Sequence, residues 1–254
     1  MESKELLKKL TGKKHVYLVS RCNEAIKQSL KILDKSLALI QNEGGWLTYR
    51  QYPKKYVELK TQNGFVDLDD LEEKANQDSV LLMHSSPGYL GNDEMEKIST
   101  VCKSKKCLLI NDCCGSIGTD AAKLGDIIVG SFGKWKPVWL GHGGFIASDE
   151  KLSVEENFDF SKEKELASHL ESLDSRLKKI HEACSKIKKD LSDFDIIKKD
   201  SKGLVVIVKF RNDKERSEIV KYCEANNYQY TECPRYIRSN EKAISIEVKR
   251  LRWQ

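Results

Sequence analysis

Three short segments hold residue types that could do chemistry together. One reads Asp126-Ile-Ile-Val-Gly-Ser131-Phe-Gly-Lys134-Trp-Lys136-Pro, with Gly141-His-Gly-Gly after it. A lysine that is desolvated beside positive charge has a lowered pKa and attacks aldehydes. Read singly, Lys134 and Lys136 are equally ordinary surface residues. A second segment, Leu108-Leu-Ile-Asn-Asp112-Cys-Cys-Gly, puts a carboxylate at the end of an apolar run. Such an acid would pair with a cation at a sheet edge, or simply cap a loop. A third, Val19-Ser-Arg-Cys22-Asn23-Glu24-Ala-Ile26, turns from an apolar run straight into a helical pattern. Free N–H groups at a helix start attract an anion such as phosphate. Asn23 serves equally as an N-cap. Glu24 suits the helix dipole, but its side chain would repel a close phosphate.

These segments need elements to hold them. Apolar runs predict strands over His15–Val19, Leu37–Ile40, Val80–Met83, Leu108–Ile110, Ile127–Val129 and Gly144–Ala147. Helical patterns occupy Glu5–Leu10, Glu24–Leu33, Leu68–Ala75 and Asp93–Lys103. This alternation predicts an α/β fold with a mainly parallel sheet sandwiched by helices, and the chemistry-bearing turns then fall at the strands' carboxyl ends, where such sheets bind ligands. Beyond residue 150 the texture changes. A long helix is expected over Ser161–Leu191, with an apolar stripe from Leu166 to Leu191. A strand (Leu204–Phe210), a helix (Lys214–Asn226) and a last strand (Ala243–Val248) follow. The expected division is a large α/β domain, residues 1–150, and a small C-terminal α+β domain with the linking helix, 151–254.

Composition bounds the reading. The 254 residues carry 44 Lys+Arg against 39 Asp+Glu, a net charge of +5, and 39% are hydrophobic. That supplies a core and argues against a disordered chain. No apolar run approaches a membrane span, and the first residues show no signal peptide, so the expected location is cytoplasmic. Eight cysteines without a secretion signal read as reduced thiols. Cys102 and Cys107 lack a second ligand pair, so no metal site is expected. A nucleic-acid partner such as tRNA has no recognisable module behind it.

Taken in order, the anion turn, the carboxylate, and the serine and lysine 24 residues after that carboxylate resemble the fold type I pyridoxal-phosphate enzymes, most closely the DegT-like sugar aminotransferases. DIIVGSFGKWK and GHGG are similar to the family's Asp-Ile-x-x-x-Ser-Phe-x-x-x-Lys segment and its following glycine turn. The resemblance covers residues 5 to 150. It implies that Lys136, and not Lys134, carries pyridoxal 5'-phosphate as a Schiff base. Asp112 would keep the pyridine nitrogen protonated, Ser131 would bind the phosphate, and Cys22, Asn23 and Glu24 would stand in the phosphate turn. Trp46 would stack on the cofactor, with Tyr49 as the reserve. Arg235 or Arg238 would meet a substrate carboxylate. His84, on another sheet-edge loop, reads equally as a pocket-lining residue and as a hydrogen-bonded structural histidine. The implied assembly is a homodimer, and the implied activity is aminotransfer on an amino acid or amino sugar.

The chain departs from the family pattern in three ways. Gly-Thr stands here as Cys22-Asn23, Gly115 stands where a Gln or His is common, and the chain is short. Two alternatives therefore remain. One is sulfur or selenium transfer from cysteine or on aminoacyl-tRNA; the other is a non-catalytic cofactor- or partner-binding protein. Cys113 and Cys114 flank the aspartate as strand-end packing or as sulfur carriers.

Overall fold

A computed structural model describes residues 2–252. The elements in chain order are α1 (Ser3–Thr11), β1 (His15–Val19), α2 (Cys22–Leu33), β2 (Leu37–Gln41), β3 (Tyr56–Leu59), β4 (Thr61–Gln62), β5 (Phe65–Val66), α3 (Leu68–Lys74), β6 (Ser79–His84), α4 (Met95–Ser104), β7 (Leu108–Asp112), β8 (Ile127–Ser131), β9 (Gly144–Ser148), α5 (Glu163–Glu171), α6 (Leu173–Asp190), β10 (Val206–Lys209), α7 (Asp213–Ala225), β11 (Tyr230–Arg235) and β12 (Ser239–Ile246).

The main sheet has the order β1-β9-β8-β7-β6-β2-β3. The pairings from β8 through β7, β6 and β2 to β3 are parallel. β9 runs antiparallel to both neighbours, so β1 again points the way of the parallel set. Consequently the carboxyl ends of β1, β2, β6, β7 and β8 share one edge. β6 is buried at all six positions, which its run Ser-Val-Leu-Leu-Met-His requires of a strand covered on both faces. A second sheet, β10-β12-β11, is antiparallel. One apolar cluster runs from Leu7, Leu18, Phe132 and Phe145 through Leu166 and Ile180 to Ile207 and Ile246. No helix among the described residues is long and apolar enough to cross a membrane.

Three differences from the sequence reading have physical causes. The helix expected over Ser161–Leu191 is two helices, broken at Ser172, where φ is −86° and ψ is 0°. The Ser172 hydroxyl donates to the His169 carbonyl at 3.2 Å, a local bond that competes with the helical ladder. The apolar stripe survives the break, with Leu166, Leu170, Leu173, Leu177, Ile180, Cys184, Ile187 and Leu191 all buried. β11 contains Pro234, which masks it in the sequence. It is tolerated because β11 is an edge strand with a register shift between Cys233 and Arg235. β3 is likewise an edge strand, with Tyr56 and Val57 exposed, and shows no alternating pattern.

Candidate active site

The shared sheet edge carries a concave pocket. Its lining draws on every chemistry-bearing segment: Arg21, Cys22 and Asn23 after β1, Gly44 to Trp46 after β2, and His84 ending β6 with Tyr89 beyond it. Asp112 ending β7 and Cys114 beyond it, Ser131 ending β8 and Lys136 beyond it, and Ile237 and Arg238 from the turn between β11 and β12 complete it.

α2 starts directly after Arg21, so its amino end forms one wall. Its first N–H groups and dipole point positive charge at the pocket. Gly144 makes this approach close, because a Cβ there would lie 2.7 Å from the Cys22 nitrogen. Asn23 does not act as the cap, since the cap position is Arg21 and no side chain caps it. Instead Asn23 Oδ1 accepts from Trp46 Nε1 at 2.9 Å, which fixes the indole at the pocket mouth. Trp46 is 38% exposed there.

Asp112 is buried. Tyr49 Oη donates to its Oδ2 at 2.7 Å, and the Cys114 N–H donates to Oδ1 at 3.0 Å. Each carboxylate oxygen retains a lone pair for a further donor. Tyr49, fully buried, thus orients the acid instead of stacking in the pocket. Burial and the facing Asp112 push its phenol well up.

Lys136 is half-buried. Its Nζ donates to Tyr89 Oη and lies 5.6 Å from the Trp46 ring centre. Burial pushes the amine down, but Tyr89, Cys114 and Asp112 outweigh that and raise it. Lys134 is exposed and rests on the Trp135 ring, away from the pocket lining. Ser131 Oγ accepts from the Gly133 N–H at 3.1 Å and so is held at the pocket wall.

His84 is 4% exposed, and neither ring nitrogen has a hydrogen-bond partner in the protein. Burial pushes it down to about 4, so it is neutral at pH 7. Arg238 is locked by Glu247 through Nε at 2.8 Å and Nη2 at 3.0 Å. Lys249 reaches the same carboxylate at 3.1 Å and Arg250 at 3.4 Å. Arg238 therefore faces the pocket with a guanidinium already paired, which removes its fork as the ready partner of a carboxylate.

Eight sequence candidates meet in this pocket: Cys22, Asn23, Trp46, His84, Asp112, Ser131, Lys136 and Arg238. Two do not. Glu24 turns along α2, its Oε1 accepting from Gln28 Nε2 at 3.0 Å, consistent with the repulsion expected for an acid beside phosphate. Arg235 is an exposed residue on the edge strand β11, outside the lining. Arg21 and Tyr89 were missed, and Cys114 was weighed only as strand-end packing or a sulfur carrier. Arg21 directly precedes Cys22 and Cys114 lies two residues after Asp112, so chain neighbourhood was the available signal. Tyr89 had only its position in the loop after His84.

All eight cysteines are unbridged and buried. Cys22 and Cys114 Sγ lie 3.7 Å apart. Together with Asp112 their ligand atoms fall within 4.8 Å of one another, the one group among the described residues that could hold a metal ion.

The pocket fits pyridoxal phosphate in its donor set. It offers an amine, a buried acid with spare lone pairs, a helix amino end and an unpartnered buried imidazole. Comparisons point the same way. The profile of the DegT/DnrJ/EryC1/StrS aminotransferase family matches residues 4–163, and that of the MJ1341 family C-terminal domain matches 174–254. No curated protein matches the chain. Among solved structures, Helicobacter pylori PseC, an aminotransferase of pseudoaminic acid biosynthesis, superposes with a TM-score of 0.71 at 14% identity, covering 96% of this chain and 84% of that one. E. coli GDP-4-keto-6-deoxy-D-mannose-3-dehydratase with bound hydrated pyridoxal phosphate gives 0.72 at 15%, covering 96% and 86%. A NifS-like protein from Rickettsia africae gives 0.70 at 13%, covering 96% and 81%. At these identities the likeness is one of fold.

Proposed function

Because the chain belongs to the DegT/DnrJ/EryC1/StrS aminotransferase family, we propose that it is a pyridoxal-phosphate-dependent aminotransferase acting on an amino sugar or amino acid, with Lys136 as the cofactor-holding lysine. The observation that carries this reading is the placement of Lys136, Asp112 and the α2 amino end around one pocket.

When bound, pyridoxal phosphate supplies an aldehyde for an amine and a protonated ring that draws electrons from the carbon bearing the substrate nitrogen. Lys136 would hold that aldehyde through Nζ, and the same atom, when free, would carry a proton to and from the substrate. Asp112, fixed by Tyr49 and the Cys114 amide, would keep the ring nitrogen protonated. The α2 amino end and Ser131 would bind the phosphate, and Trp46, braced by Asn23, would pack on the cofactor. His84, neutral and unpartnered, offers a hydrogen bond to a polar group of cofactor or substrate.

We place the working unit in a homodimer, residues 1–150 forming the cofactor-binding part and 151–254 the closing part. The exposed apolar residues Trp46, Leu47, Tyr56 and Val57, near the pocket mouth and the β3 edge, support a covered face there. Eight unbridged thiols suit a reducing, cytoplasmic compartment.

The test is spectroscopic. Purified protein given pyridoxal phosphate should develop a visible band, borohydride should trap the cofactor on Lys136, and Lys136→Ala should remain colourless. A wild-type protein that ignores the cofactor, or a label on another lysine, refutes the reading.

A further inference from the structure

Tyr89 is held with unusual care for a residue in a connecting loop. It is buried, and its φ of +64° is a conformation that bulky residues rarely adopt. Its N–H donates to the Ser86 carbonyl and its carbonyl accepts from the Leu204 N–H, each at 2.8 Å. The ring meets His84 edge-on at 4.9 Å. Three cations surround that ring: Arg238 and Lys249 each 4.8 Å from its centre, and Lys136 at 5.0 Å. A glycine at 115 leaves room for it, since a Cβ there would lie 2.9 Å from Tyr89 Cδ1. Backbone, packing and charge all aim one phenolic oxygen at Lys136 Nζ.

We propose that Tyr89 is the positioning residue for the reacting amine of Lys136: its phenolic oxygen accepts a hydrogen bond from the ammonium and parks it between proton deliveries. The inference rests on Lys136 being the cofactor-holding lysine. In the step concerned, the free amine takes a proton from the reacting carbon, which keeps the electron pair of the broken C–H bond. Nζ becomes an ammonium and donates to Tyr89 Oη. No proton passes to Tyr89, whose phenol burial keeps neutral. Returning the proton to carbon restores the amine. A hydrogen bond to a charged group favours the charged form, so Tyr89 makes Lys136 the more reluctant to lose its proton.

The test is the pH profile of Lys136 labelling by trinitrobenzenesulfonate in protein stripped of cofactor, read by peptide mapping, for wild type and Tyr89→Phe. The substitution keeps the ring, its contact with His84 and its cations. A purely structural Tyr89 therefore predicts superimposable profiles. The proposal predicts a midpoint about one pH unit lower, with labelling about tenfold faster at a fixed pH below it. The activity profile of the cofactor-loaded enzyme should move the same way. Should Tyr89→Phe fail to fold, Gly115→Ala serves, because its Cβ displaces the phenol and should give the same downward shift. Superimposable profiles overturn the proposal even if the protein binds pyridoxal phosphate normally. A shifted profile in a protein that never captures the cofactor overturns the functional reading instead and leaves the Tyr89–Lys136 coupling standing.

Discussion

Replacing Asp93 with asparagine should expose an acid sensitivity that the wild-type chain conceals. Burial pushes His84 from 6.5 down to about 4. Between those values the unfolded chain binds a proton that the folded chain does not. The stability His84 contributes is therefore whole above pH 6.5 and drains away as pH falls to 4, about 3 kcal/mol in all at 1.36 kcal/mol per unit. Asp93 has the opposite sign. Burial raises it from 3.8 to about 6, although the Val66 and Glu94 N–H groups bond to it. Its contribution is whole below pH 3.8 and is lost as pH rises through 6, again about 3 kcal/mol. The two windows overlap, so the contributions of His84 and Asp93 should nearly cancel between pH 4.5 and 6.5. Asp93→Asn keeps an oxygen for the Val66 N–H, gives up the bond from the Glu94 N–H at every pH, and deletes the titration. The variant should lose about 2–3 kcal/mol over the same range. Glu247, held well below its usual range chiefly by Arg238, adds its own loss only under pH 4.5. Urea unfolding of cofactor-free protein at several pH values, with unchanged m, measures this. A variant as flat as wild type would refute the assignment of His84 as a neutral, buried imidazole.

Two further outcomes follow from side chains already described. Glu247→Gln strands Arg238, Lys249 and Arg250 in the interior, and should destabilise the protein by about 3–5 kcal/mol in urea titration at pH 7; a loss under 1 kcal/mol would mean those cations find water. Trp46→Phe removes the bond to Asn23 Oδ1 while keeping a ring over the pocket. It should weaken pyridoxal phosphate affinity about fivefold, by absorbance titration, and leave stability within about 0.5 kcal/mol of wild type.

The sequence made the strand ends legible because parallel strands buried on both faces read as unbroken apolar runs, and β6 and β7 are of that kind. Once those runs are placed, chain order alone puts Cys22, Asp112 and Ser131 at one edge. What stayed hidden is what edges and turns hide. β3 and β11 face solvent on one side and carry no periodic signal. Ser172 breaks a helix whose apolar stripe continues without interruption, so periodicity could not locate the joint. Glu24 and Arg235 had suitable chemistry at suitable positions. Side-chain direction decided against both, and direction within a turn or on an edge strand is set by neighbours remote in sequence. Arg238 was found, but its partner Glu247 was not, and the pairing changes what the arginine can do.

That pairing shows how the C-terminal sheet takes part in the site. Tyr236 Oη donates to the Gln41 carbonyl at 2.8 Å, and its own carbonyl accepts from the Gly44 N–H at 2.7 Å. The second sheet is thereby stitched to the loop that carries Trp46. Two residues later Arg238 enters the pocket wall, and Glu247, just past the end of β12, fixes it. Lys249 and Arg250 then return to the same carboxylate. One buried acid thus gathers three cations, two of which lie over the ring of Tyr89. Burial holds Lys249 at about 7, so near neutral pH part of this charge is removable without moving a single backbone bond. The strand ends of the main sheet supply the amine and the acid. The far end of the chain supplies the cations that pack on Tyr89 and the arginine in the pocket wall, and for this reason truncation before β12 should open the pocket even though every strand-end residue would remain.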